Sequence, residues 1–93
     1  MSSSLAQTVT ALVRNGQFLV GLHASERLDE RGILEWQVIE AMEHAQFLAE
    51  RADGPANPVV EFAIVLPDGT PAKAVWANLR RSQVAKLVTV HYL

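Results

Sequence analysis

Residues 59–93 read "VVEFAIVLPDGTPAKAVWANLRRSQVAKLVTVHYL", three β-rich runs separated by two turn signals, and nothing else in the chain restricts its fold as tightly. In "PDGT", Pro67 presets its φ and Gly69 accepts a positive one, so a hairpin is expected there. The returning run alternates Lys73, Val75, Ala77 and Leu79 with Ala74, Trp76 and Asn78, and "RRSQ" turns into the last strand, "VAKLVTVHYL". Three consecutive antiparallel strands with helices packed on one face would bury both apolar patterns.

The first half supplies those helices. Ser4 followed by Gln7 has capping-box spacing; Leu5, Val9, Leu12 and Val13 share one helical face, and Asn15-Gly16 is a stop signal. "QFLVGLH" alternates Phe18, Val20 and Leu22 with Leu19, Gly21 and His23, which predicts one short strand delivering His23 at its end. A short helix follows, with Ala24 and Leu28 as an i, i+4 apolar pair, Gly32 as its left-handed stop and Ile33 returning to the core. The spacing of Val38, Met42, Ala45 and Ala49 predicts a longer helix from about Leu34 to Ala52, with Glu35, Glu40, Glu43 and Glu50 on its wet side. "ADGPANP", residues 52–58, reads as a loop. The expected order is α-β-α-α-β-β-β, an α+β fold with an antiparallel sheet of three to four strands in a single domain spanning residues 1–93.

Composition narrows the functional classes. With 93 residues, 49% of them hydrophobic and 19% charged, the chain has room for one core and is too apolar to be disordered. No apolar run approaches the roughly 18 residues of a membrane span, and the N-terminus lacks a basic region before an apolar stretch, so a cytoplasmic protein without a membrane partner is expected. With no cysteine, disulfides, thiolate catalysis and cysteine-ligated zinc are excluded. His23, His44 and His91 show neither HExxH nor i, i+4 spacing, so no metal site and no cofactor is expected. The net charge of -2 divides unevenly: four Arg against eight acids in residues 1–54 give -4, and four Lys or Arg against two acids in 55–93 give +2. Only the C-terminal half offers a basic surface. Trp36, Trp76, Phe18, Phe47 and Phe62 form no single stripe and are expected mainly in packing rather than base stacking.

The chemistry lies in "LHASERLDERGI", residues 22–33. On a helix His23, Glu26, Arg27 and Arg31 share roughly one face, placing an imidazole near a carboxylate and two guanidinium groups. A His beside a carboxylate serves proton transfer near neutral pH, and Arg matches phosphate oxygens with its planar fork. The same spacing also describes an ordinary solvated helix face. Arg80, Arg81 and Lys86 follow near the last turn, where they either meet phosphate or simply guard a hairpin end.

"HASERLDERGILEWQVIEAM" resembles the signature of a bacterial domain-of-unknown-function family, number 4258, in which His-x-x-Glu-Arg precedes Arg-Gly-Ile and a helix with a Val. His23, Glu26, Arg27, Arg31, Gly32, Ile33 and Val38 match it position by position. The likeness extends over "LVRNGQFLVGLH" and the final "LVTVHY". Where the family usually has Ser or Thr after Arg-Gly-Ile, this chain has Leu34, so the helix cap must come from elsewhere. The family is similar in presumed architecture to the RelE and barnase type of small ribonuclease, which includes messenger-RNA-cleaving toxins. The resemblance implies a RelE-like fold and a toxin-type, metal-independent endoribonuclease with RNA as substrate and an antitoxin or a second copy as partner. His23 would then act as general base or acid and Glu26 would orient it. Arg27, Arg31 and Arg80 or Arg81 would stabilise the phosphorane, and His91 or Tyr92 would supply the second proton-transfer group. The alternative is a noncatalytic protein-interaction module in which the His-Glu-Arg cluster is structural.

Overall fold

The computed structural model describes residues 4–51 and 57–93. Helix α1 (Ser4–Arg14) leads into strand β1 (Phe18–Val20), followed by helices α2 (Leu22–Arg31) and α3 (Glu35–Ala41) and a 3-10 turn (Met42–His44). Strands β2 (Gln46–Arg51), β3 (Val59–Val65), β4 (Pro71–Leu79) and β5 (Val84–Tyr92) complete the chain. They form one five-stranded sheet in the order β1-β5-β4-β3-β2. The three long C-terminal strands pair antiparallel as expected, and β1 adds to β5 in parallel, so the α+β sheet is mixed.

The local signals explain most boundaries. Gly16 at φ 76° ends the turn after α1, and Gly32 at φ 68° closes α2, which returns Ile33 to the core. In the β3–β4 turn the Leu66 N–H donates to the Thr70 carbonyl, and the Asp68 carboxylate accepts the Thr70 N–H at 3.0 Å. Hydrogen bonds from the Thr70 backbone N–H and side chain hold the Asp68 carboxyl below the usual carboxylate range. The cap missing at Leu34 is supplied by Gln37, whose side-chain carbonyl accepts the Leu34 N–H at 2.9 Å while its own N–H donates to the Leu34 carbonyl. Gln37→Ala is therefore expected to cost about 0.5–1 kcal/mol, half of a capping box, in a denaturant melt.

Two expectations are corrected. The long helix expected over 34–52 stops at Ala41, and residues 46–51 form β2 instead, pairing from Gln46–Ala63 to Arg51–Val59 around a bulge between Phe47 and Ala49. Val38, Met42, Ala45 and Ala49 do carry a helical period, but β3 has an edge whose backbone groups need partners, and that ladder overrides it. Of the expected loop at 52–58, residues 52–56 lie outside the described residues, and Asn57 and Pro58 are irregular. The strand expected through His23 ends at Val20: the Gly21 N–H takes the Leu87 carbonyl and the Gly21 carbonyl accepts the Ser25 N–H, so the chain is helical from Leu22 onward.

One sheet face carries the core. Val60, Phe62, Ile64, Ala72, Ala74, Trp76, Ala85, Leu87 and Val90 pack against Val9 and Val13 of α1, Ala24 and Leu28 of α2, and Val38 of α3. Phe18 meets Trp76 edge to face, centroids 6.3 Å apart. The other face of β3 and β4 carries Glu61, bonded to Lys73 and to Arg51 at 3.3 Å each. No helix among the described residues is long and apolar enough to cross a membrane.

Candidate functional site

Because β1 stops at Val20, paired with Leu87, the rest of β5 has no strand on that side. Helix α2 runs along this stretch: the Gly21 N–H bonds Leu87 at its start, and the Tyr92 hydroxyl donates to the Arg31 carbonyl at 3.0 Å at its end. Ten helical residues rise about 15 Å, which matches the remaining length of β5. The seam between α2 and β5 is thus fixed at both ends.

Ala24 and Leu28 turn from α2 into the core, which leaves the polar positions of the helix outward. His23 stands in the first turn, exposed, and its side chain makes no hydrogen bond or ion pair among the described residues. Glu26 is also exposed and makes no bond to His23, so the expected orienting contact is not formed. Arg27 bonds Glu30 at 3.0 Å instead, while its Nε is buried without a partner. Arg31 reaches back to the Arg27 carbonyl at 3.4 Å. Arg27 and Arg31 are both half-buried, one turn apart along the seam.

The C-terminal candidates divide between the two ends of β5. Tyr92 joins the seam through Arg31, and His91 pairs with Lys73 across the sheet one residue earlier. Arg80 and Arg81 lie in the β4–β5 turn, beyond the Val84 end of β5, which is itself about 10 Å along the strand from Leu87, where α2 starts. Arg80 instead lines a hollow of about 290 Å³ with Thr8, Gln17, Asn78 and Gln83, away from His23. Sequence position drew these arginines towards the histidine, but strand length separates them.

Of the basic residues near the last turn, Lys86 is the one that reaches the seam. The stem of Lys86 crosses the start of α2: a Cβ at Gly21 would stand 2.7 Å from Lys86 Cε and 3.0 Å from the Leu87 carbonyl oxygen. Glycine leaves room for that crossing without displacing Lys86, and "LVGLH" held the signal, a glycine at a strand end. Gly21→Ala is expected to push Lys86 aside and cost about 1–3 kcal/mol, read from the midpoint of a urea titration. Thr89, two residues before His91, has a buried hydroxyl with no partner.

Electrostatically, the head of the seam is positive. Helix α2 has no acid in its first turn and no side-chain cap, so its free N–H groups and the Lys86 side chain beside Gly21 have no carboxylate in that turn to balance them. A cation beside a helix N-terminus repels its dipole, an arrangement that an anion relieves. Among the described residues no group of three or more His, Asp or Glu has the geometry to hold a metal ion.

The family model described as "Domain of unknown function (DUF4258)" matches residues 21–92, from the glycine under Lys86 to the tyrosine bonded to Arg31. No curated protein and no solved structure matches the chain.

Proposed function

The chain belongs to the DUF4258 family, and from the α2–β5 seam we propose that it is a metal-independent endoribonuclease of the toxin type. The observation that carries this reading is that His23, Arg27 and Arg31 follow one another at four-residue spacing along α2, whose start lies against Lys86 of β5 and whose first turn holds no carboxylate. A phosphodiester laid there meets N–H groups and Lys86 first, then two guanidinium groups about 6 Å apart along the helix.

The reaction would be attack of a ribose 2'-hydroxyl on the adjacent phosphorus. His23, free of internal partners, takes the hydroxyl proton; Arg27 balances the charge of the phosphorane; the 5'-oxygen leaves with a proton from Lys86 at the same end of the helix, His91 and Tyr92 standing at the other end of the seam. The products are a 2',3'-cyclic phosphate and a 5'-hydroxyl. Purified protein incubated with end-labelled RNA in EDTA should yield cyclic-phosphate ends. Intact RNA, together with unimpaired growth of cells expressing the chain, would overturn the reading.

A second reading draws on Arg27. Its ion pair with Glu30 and its buried Nε are what a noncatalytic interaction module with a structural cluster would show. The two readings part on His23, whose exposure gives it little to do in holding the fold.

A further inference from the structure

A larger cleft than the hollow at Arg80 lies elsewhere, between α1 and α3 beside β1. It holds about 600 Å³, and its floor is apolar: Val13, Phe18, Ile39 and Met42. Trp36 forms one wall with 55% of its surface exposed, although the sequence pattern placed the tryptophans in packing. Leaving an indole half in water beside an open apolar floor forgoes about 25 cal/mol for each Å² that a partner would cover.

Around this floor stand Glu35, Glu40 and Glu43, against the single cation Arg14. None of the four makes an ion pair among the described residues. An RNA backbone is repelled from such a rim, so the cleft does not serve the reaction at the seam. We propose that it is a docking site for a cationic amphipathic helix of another protein. Apolar anchors at i, i+3 and i+4 would fill the floor beside Trp36, and Lys or Arg on the flanks would meet the three glutamates. A second copy of the chain does not fit this description. The charged side chains of α1 reduce to Arg14, α2 carries Arg27 and Arg31 against Glu26, Asp29 and Glu30, and α3 carries Glu35 and Glu40 alone. The inference stands independently of the ribonuclease reading.

The probe is a synthetic Leu/Lys amphipathic helix about four turns long, titrated into the full chain, with the Leu/Glu peptide of the same pattern as its control. Trp76 is already fully buried, so a blue shift of tryptophan emission on binding reports Trp36. Saturable binding of the Leu/Lys peptide is expected, with a blue shift that Trp36→Phe abolishes and amide shifts confined to α1, α3 and β1. The Glu40→Lys/Glu43→Lys double variant changes two exposed side chains and should weaken binding about tenfold or more. Equal binding of both peptides, amide shifts centred on other elements, indifference to the double variant, or dimerisation of the chain through this cleft would each overturn the proposal.

Discussion

Replacing His23 by alanine is expected to lower RNA cleavage roughly 10²–10⁴-fold, the range for loss of a general acid or base, while the melting temperature stays within about 4 °C. Constancy of the fold follows from where the residue sits. His23 is exposed, its side chain has no internal partner, and alanine is the better helix former in the first turn of α2. A comparable fall in activity and in melting temperature would identify the histidine as structural and favour the interaction module. Arg27→Ala makes the contrast. It removes a half-buried stem and the Glu30 ion pair, so a stability loss accompanies any loss of activity, and partial recovery in Arg27→Lys would separate charge from packing. Added imidazole should restore part of the cleavage in His23→Ala but none in Arg27→Ala, an outcome that a structural histidine does not produce.

The meander of β3, β4 and β5 was readable because its turns carry their own chemistry. Asp68 and Gly69 supply the hydrogen bond and the positive φ that the hairpin requires, whatever lies around them. Strand β2 was not readable. "QFLAER" continues the four-residue spacing of Val38 and Met42, and only the open edge of β3, more than ten residues ahead in the chain, turns it into a strand. Likewise β1 ends where the Gly21 N–H meets the Leu87 carbonyl, a partner more than sixty residues ahead in the chain.

The candidate site shows the same division between local and distant information. That His23, Arg27 and Arg31 share a helix, and that Ala24 and Leu28 anchor it, follows from spacing within one element. Which C-terminal residues meet that helix depends on the register of β5, and register placed Tyr92 at Arg31 while leaving Arg80 and Arg81 beyond the opposite end of the strand. Thr89 carries no pattern at all in the sequence. Its buried, unpartnered hydroxyl becomes visible only when β5 is packed.

Trp76→Ala is expected to cost about 3–5 kcal/mol, enough at roughly 4–8 °C per kcal/mol to lower the melting temperature by about 12 °C or more. Trp76 is 0% exposed at the middle of β4, where Ala74 and Ala85 are small neighbours that cannot expand into the void, and Phe18 loses its edge-to-face partner. That last loss travels further than the cavity. Phe18 opens β1, and the three residues of β1 are what place Gly21 at Leu87 and so start α2 alongside β5. Trp76→Phe should cost markedly less, for a reason beyond size: the indole Nε1 is buried without a hydrogen-bond acceptor, and phenylalanine removes that unsatisfied donor while keeping a ring for Phe18. Thermal melts of the two variants, with amide exchange of the α2 N–H groups, check both points. The alanine variant should loosen the head of α2 ahead of global unfolding and the phenylalanine variant should not. Equal destabilisation by both would mean that the aromatic contact contributes nothing beyond volume.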